Sequence, residues 1–156
     1  MNKLRYNDND VALDDYIMKH LYFSKIKESI NKINSMLKLI NDLPNNQIKC
    51  ILRKNELHIY NNRQDNIQCI IDNFDINDLK RAINKLPKRK SRPSEFMKKY
   101  VKKLSGKELV GFIEIYCLPS GGSKEENRKI ILEYAEDEEF WQYIKSIFPE
   151  LNRNAF

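Results

Sequence analysis

Residues 104–136 read LSGKELVGFIEIYCLPSGGSKEENRKIILEYAE, and this stretch decides how the C-terminal part of the chain folds. Each of its two apolar runs opens with Ser-x-x-Glu, first at Ser105 and then at Ser123. In such a capping box the serine hydroxyl accepts an N–H of the first helical turn, while the glutamate accepts the N–H of the serine. The stretch therefore predicts two helices, over residues 106–116 and 124–135.

The connection between these helices holds two of the four glycines in the chain, Gly121 and Gly122. They follow Leu118 and Pro119, which we expect to tuck beneath the helix pair. Glycine has no Cβ and adopts positive φ angles at little cost. We therefore expect both glycines to take positive φ and to reverse the chain into the second helix.

The pattern resembles the SAP motif, a small helix–extended turn–helix module of many chromatin-associated and nucleic-acid-processing proteins. The resemblance covers residues 104–135 and rests on Leu104, Glu108-Leu109, Phe112-Ile113, Leu118-Pro119, Gly122, Lys124, Glu126, Arg128 and Ile130-Ile131. It implies DNA binding through the start of the second helix. The residues concerned are Gly122, Ser123, Lys124 and Arg128. The chain departs from the family in the many acids of its second helix, and the related LEM-type hairpin binds protein instead.

The surplus positive charge of the protein lies just before this hairpin. The net charge is +6, and residues 80–107 contain 12 Lys and Arg against one acid, Glu95. Concentrated cations attract a polyanion and release its counterions when they neutralise phosphates. The sequence therefore predicts DNA contacts in this segment. The expected residues are Lys88, Arg89, Lys90, Arg92, Lys98, Lys99, Lys102, Lys103 and Lys107.

Three other interpretations of the basic segment stay open. A lysine-rich helix face is often only solvated, and PKRKSRP at residues 87–93 is typical of a nuclear import signal. A basic amphipathic helix can also lie on an anionic membrane. We expect no membrane partner, because this helix is short, it has no Trp, and no window approaches the ~18 apolar residues that span a bilayer.

The N-terminal part predicts one long helix and a small sheet. Residues 12–43 carry an apolar stripe at steps of four and three, which is Ile26, Ile30, Ile33, Leu37 and Ile40. This stripe needs a partner surface, either in its own domain or on another chain. Residues 48–71 alternate between apolar and polar, which predicts a three-stranded antiparallel meander with Asn55 in a hairpin turn.

The fold class that follows is α+β and mostly helical. We expect the long N-terminal helix to pack on the small three-stranded antiparallel meander, followed by a short helix over residues 75–86. A flexible basic linker and a basic C-terminal helical unit with the SAP-like hairpin complete the chain. The expected divisions are residues 1–86, the linker 87–93 and residues 94–156.

The cysteines and the N-terminus indicate a compartment. Cys50, Cys69 and Cys117 form no CxxC pair and are odd in number, so we expect free thiols in a reducing environment. The first ten residues, MNKLRYNDND, lack the apolar core of a secretory signal. We therefore expect an intracellular protein of the nucleus or cytoplasm, or of a viral factory. The frequent Asn, Ile and Lys indicate an A+T-rich genome.

No catalytic signature occurs in the chain. His20 and His58 lie far apart, and neither HExxH, GxSxG nor a phosphate-loop pattern is present. We therefore predict a non-catalytic protein without cofactor or metal, which binds DNA with little sequence preference in genome organisation, transcription or replication. The alternative is a protein-interaction module, such as an adaptor, an inhibitor or a complex subunit. It would use the acidic C-terminal helices and the apolar stripe, and its oligomeric state stays open.

Overall fold

The computed structural model of the protein describes residues 8–90 and 92–152, with side chains from residue 12 onward. Over these residues the chain forms eight α-helices and no β-strand. The helices are α1 (Asp8–Asn41), α2 (Asn45–Lys54), α3 (Arg63–Asn73), α4 (Ile76–Asn84), α5 (Glu95–Val101), α6 (Gly106–Ile115), α7 (Lys124–Tyr134) and α8 (Asp137–Ile147). None of the described helices combines the length and apolar character that crossing a bilayer requires.

The predicted α+β class and its three-stranded meander are wrong, because residues 48–71 form α2, a loop and α3. Apolar alternation over a short segment also fits a helix. In α2, Ile48, Ile51 and Leu52 lie at i, i+3 and i+4 and are all buried, although strict alternation places Ile51 on the opposite face. Frequent β-branched residues favoured strands in the sequence, and packing of one helical face overrides that preference.

The loop between α2 and α3 has no regular structure at residues 57–60, and buried Asn66 binds the backbone of Tyr60 there. The N–H of Tyr60 donates to Oδ1 of Asn66 at 2.8 Å, and Nδ2 of Asn66 donates to the carbonyl of Tyr60 at 3.0 Å. One side chain thus satisfies both backbone groups of Tyr60, as a ladder would. The residue with positive φ after α2 is Glu56 (φ 57°), which follows Asn55, the residue predicted to lie in a hairpin turn.

Two hydrophobic clusters hold the helices together. The first joins the end of α1 with α2, α3 and α4, and its fully buried residues include Met36, Ile40 and Leu79. The second joins α5 to α8 around Phe112 and Phe140. Of the predicted apolar stripe on α1, only its last members pack on this body, and residues 12–35 are exposed throughout.

Helix α2 connects the two clusters through the turn that follows α6. Nε2 of Gln47 donates to the carbonyl of Cys117 at 3.2 Å, and Asn46 binds both the carbonyl of Leu118 and the N–H of Ser120. A disulfide joins Cys50 and Cys117, whose Cα atoms lie 5.9 Å apart. That distance is within the usual range for a disulfide.

The expectation of free thiols is therefore wrong for Cys50 and Cys117, while Cys69 is free as expected. Cysteine spacing along the chain carries no information on which helix faces the end of α6. The pairing of Cys50 depends on α2 being helical and packing against the second cluster.

Candidate nucleic-acid interface

The hairpin of α6 and α7 forms as its two capping boxes predict. Oγ of Ser105 accepts the N–H of Glu108 at 3.3 Å, and Oε2 of Glu108 accepts the N–H of Ser105 at 2.7 Å. Ser123 and Glu126 form the same pair of bonds at the start of α7, both at 3.2 Å. The predicted starts of both helices are confirmed, and their ends differ from prediction by one residue.

The glycines of the turn do not have the positive φ that we expected, so that expectation is wrong. Cys117 takes the left-handed conformation instead (φ 59°), and the N–H of Leu118 donates to the carbonyl of Ile113 at 3.0 Å to close α6. Gly121 is needed for space, because a Cβ there would lie 2.6 Å from the Cβ of Glu126. The chain thus begins to reverse before the glycines are reached.

The backbone donors of this turn already bind acceptors from α7. Oε2 of Glu126 accepts the N–H groups of Gly122 and Ser123, at 2.6 and 3.2 Å. Oδ1 of buried Asn127 accepts the N–H of Gly121 at 2.9 Å. The SAP resemblance implies that this turn contacts DNA, yet a phosphate would have to displace the Glu126 carboxylate to bind these donors. Sequence analysis missed Asn127, since no signal in one sequence marks an asparagine that caps from inside a helix.

Arg128, an expected DNA contact, lies partly buried between two helices. Its guanidinium forms an ion pair with Glu125, and its Nη2 donates to the carbonyl of Lys102 at 3.2 Å. The side chain is only 20% exposed. Arg128 therefore fastens the first turns of α7 to the end of α5, while Lys124 remains exposed one turn earlier.

Helix α5 and the start of α6 present a row of cations, which we call the lysine ridge. Its members are Lys98, Lys99, Lys102, Lys103 and Lys107, and all five are exposed. They project outward because Met97, Tyr100 and Val101 face the core. Lys98 and Lys99 lie in α5, Lys102 and Lys103 directly follow its last residue, and Lys107 lies in the first turn of α6. The structure thus brings together five of the predicted contact residues.

The ring of Tyr100 underlies part of the lysine ridge. The Nζ atoms of Lys99 and Lys103 lie 5.7 and 4.8 Å from its centroid, within the range of cation–π contacts. Within the described part of the chain, no carboxylate pairs with Lys102, Lys103 or Lys107, whereas Lys98 binds Glu95 at 2.7 Å. The pattern KKYVKK at residues 98–103 places Tyr100 within one helical turn of four lysines.

The predicted linker is attached to the body at residues 89–90, so its predicted flexibility is wrong there. The N–H of Lys90 donates to the carbonyl of Glu133 at 2.6 Å, and the Arg89 guanidinium lies 3.0 Å from Oε1 of Glu133. Nζ of Lys90 pairs with Glu136. Two of the predicted cations are thereby neutralised, while Lys88 and Arg92 on either side are exposed. Acids of α7 and its C-terminal flank thus hold the basic segment that precedes them.

Helix α8 closes the hairpin from the other side. Oη of Tyr143 donates to the carbonyl of Glu108 at 2.6 Å, which ties α8 to the first turn of α6. Burial raises the pKa of Tyr143 above its usual value of 10, and the nearby Glu108 carboxylate adds to the rise. The phenol therefore stays a hydrogen-bond donor at neutral pH. In residues 8–90 and 92–152, no group of three or more His, Cys, Asp or Glu side chains is arranged to hold a metal ion.

No protein-family model, no curated protein and no solved structure matches this chain. The SAP resemblance of residues 104–135 stays a prediction that rests on the residues themselves. The helical hairpin that it implies is present, but a carboxylate of the chain occupies the turn. Function therefore has to be inferred from geometry and charge alone.

Proposed function

We propose that the protein binds DNA without catalysis, and that the lysine ridge makes the phosphate contacts. The observation that carries the proposal is the set of five exposed lysines within residues 98–107, in α5, the turn that follows it and the start of α6. Lys88, Arg92 and Lys124 are further exposed cations, in the linker and at the start of α7. Several cations that reach one backbone together release its counterions, which supplies most of the affinity in nonspecific binding.

The hairpin has a positioning role in this proposal. Arg128 holds α7 against the end of α5 through the Lys102 carbonyl, so the hairpin fixes the orientation of the ridge. The turn itself contributes little attraction, because Glu126 supplies its own negative charge there. Binding is therefore directed at the phosphate backbone, with little or no sequence preference, in genome organisation, transcription or replication.

Several acids of the surface that favours a protein-interaction module form ion pairs or hydrogen bonds within the chain. Glu125 pairs with Arg128, Glu126 caps the turn, and Glu133 binds the linker. Acids that satisfy internal donors and cations are poorly placed to recognise a separate basic partner. This is a second reason to favour DNA binding for the C-terminal helices.

A salt titration of duplex DNA binding tests the proposal. The ridge variant replaces Lys98, Lys99, Lys102 and Lys103 with Ala. The control variant replaces four exposed lysines outside residues 80–107 with Ala, which are Lys32, Lys38, Lys54 and Lys145. Both variants lose the same charge, so a difference between them reports the position of the charge and not its amount.

We expect nonspecific dissociation constants of roughly 10⁻⁴ to 10⁻⁶ M for the wild type at physiological salt. Each lost phosphate contact reduces the slope of log affinity against log salt by about 0.9, so the ridge variant should lose roughly 3 to 4 units of slope. The control variant should lose less than about one unit. Equal slopes for the ridge variant and the wild type, with both folded by circular dichroism, contradict DNA binding through the ridge.

A further inference from the structure

Helix α1 projects from the body and carries a large exposed apolar surface. Residues 12–35 are exposed at every position, which is about 36 Å of helix at 1.5 Å per residue. Ten large apolar side chains between Leu13 and Ile33 are 37–68% exposed. Such a helix gains its stability from a partner, because isolated amphipathic helices are marginal in water.

Three aromatic rings contribute much of the exposed apolar surface of α1. The rings of Tyr16, Tyr22 and Phe23 are each about two-thirds exposed. At 150–250 Å² for a buried ring, these three alone present roughly 400 Å². Five of the ten exposed apolar side chains lie on one side of the helix, which are Tyr16, Phe23, Ile26, Ile30 and Ile33, and a contiguous exposed apolar patch marks an interaction site.

Five of the ten exposed apolar side chains of α1 lie at a and d positions of a heptad repeat, while Leu13, Ile17, Met18, Leu21 and Tyr22 lie outside this seam. The a positions are Tyr16, Phe23 and Ile30, the d positions are Ile26 and Ile33, and Lys19 is the one charged d residue. Residues at a and d form a continuous seam that packs against another helix of the same kind. The repeat continues to Leu37 and Ile40, which pack against the first hydrophobic cluster of the same chain. The occupant of the exposed seam is therefore a helix.

The distribution of charge along α1 indicates which helix occupies the exposed seam. Residues 8–19 contain four Asp and one Lys, whereas residues 20–41 contain four Lys and one Glu. An antiparallel copy of α1 places each acidic half beside a basic half. A parallel copy places like charges side by side and brings Lys19 against the same residue of its partner. Charge complementarity thus favours a second copy in the antiparallel orientation.

We propose that the protein self-associates through α1, which pairs with α1 of a second copy in an antiparallel coiled coil. In this register Phe23 packs against Ile26 of the second copy, and Tyr16 packs against Ile33. Lys19 then lies beside Ile30 of the second copy, along which its aliphatic stem can pack while its ammonium stays with Asp15, 3.5 Å away. The two bodies lie at opposite ends of the helix pair. The inference does not depend on DNA binding, because α1 carries none of the ridge lysines.

Sedimentation equilibrium of three proteins tests the pairing. The wild type should sediment at twice the monomer mass of 18.7 kDa at micromolar concentrations. The seam variant Ile26→Glu with Ile30→Glu should sediment as a monomer. The control Ser24→Glu with Asn31→Glu adds the same charge at exposed b positions and should stay a dimer. Both variants keep the body intact, because these four residues lie outside its core.

Cross-linking tests the orientation in a Cys69→Ser background. Protein with Tyr16→Cys is mixed with protein that carries Ile33→Cys and is then oxidised. Mixed 16–33 cross-links are expected, whereas 16–16 and 33–33 cross-links alone overturn the antiparallel arrangement. A monomeric wild type at all concentrations overturns the pairing. The pairing is also overturned if the wild type is a monomer that sediments with anionic phospholipid vesicles and the seam variant does not. In that case the apolar face of α1 binds lipid.

Discussion

Oε2 of Glu126 accepts the backbone N–H of Gly122 at 2.6 Å, so the turn between α6 and α7 carries its own anion. The start of a helix has a partial positive charge, which attracts a carboxylate and a phosphate in the same way. In this chain the carboxylate is attached to the third residue of α7, next to the place where the SAP resemblance implies DNA contact.

Glu126→Gln should therefore increase DNA affinity while it lowers stability. The amide keeps an acceptor for the capping bond but removes the competing charge, which is worth about 0.3–1 kcal/mol at a helix start. We expect an affinity increase of roughly 2- to 5-fold by fluorescence anisotropy and a small loss of thermal stability. Glu108→Gln is the control, because it makes the same change in the capping box of α6. Equal affinity gains in the two variants would mean that only net charge matters.

Gly121→Ala and Gly122→Ala should differ sharply in stability. A Cβ at Gly121 would lie 2.6 Å from the Cβ and 3.2 Å from the carbonyl carbon of Glu126, so the turn or α7 must shift. Overpacking of this kind costs about 1–3 kcal/mol. A Cβ at Gly122 meets only Oε2 of Glu126, at 3.4 Å, and should be tolerated. Urea unfolding measures both free energies, and coincident midpoints would show that the turn has room at both positions.

The helical hairpin could be predicted from sequence because its signals are local. The capping boxes at Ser105 and Ser123 determine both helix starts through bonds that span three residues. The cations of α5 were predicted correctly as an exposed face for the same reason, since helical periodicity separates them from Met97. Local signals did not show that Arg128 and Arg89 bind partners from distant segments.

The prediction of a meander over residues 48–71 failed because the periods of a strand and a helix cannot be distinguished over short segments. Ile48, Cys50 and Leu52 alternate as a strand would, yet Ile48 and Leu52 are also one helical turn apart. The choice between helix and strand depends on neighbouring surfaces, and no local signal specifies those. Residues 57–60 were predicted as part of a strand, but the backbone of Tyr60 bonds to the side chain of Asn66 in α3.

Asn66→Ala should destabilise the protein more than alanine substitution of any other Asn or Gln in α3. It would remove both hydrogen bonds to the Tyr60 backbone, each worth about 0.5–1.5 kcal/mol net, together with the buried Asn66 side chain. Asn73→Ala is the control, because its amide donates to the Cys69 carbonyl at 2.8 Å from an exposed position. We expect a loss near 2–3 kcal/mol for Asn66→Ala and below about 0.5 kcal/mol for Asn73→Ala by urea unfolding. Similar losses would show that water satisfies Tyr60 once Asn66 is gone.

Loss of the disulfide should lower stability substantially. Cys50 and Cys117 are 67 residues apart in sequence, and closing a loop of that length constrains the unfolded chain by about 4 kcal/mol. Unfolding in urea with and without dithiothreitol measures this contribution. Cys50→Ala with Cys117→Ala should match the reduced wild type, and Cys69→Ala should keep its response to reductant. An unchanged midpoint on reduction would show that the cross-link contributes nothing.

Asn46, Gln47 and Cys50 all extend from α2 to the turn that follows α6. Residues 92–152 are therefore not expected to fold as an independent unit, even though they contain a hydrophobic cluster of their own. Excised from the chain, they would lose the amides that meet the carbonyls of Cys117 and Leu118, on the side where α6 turns toward α7. Any truncation or chimera that is meant to preserve the basic face of α5 has to retain residues 45–54 as well.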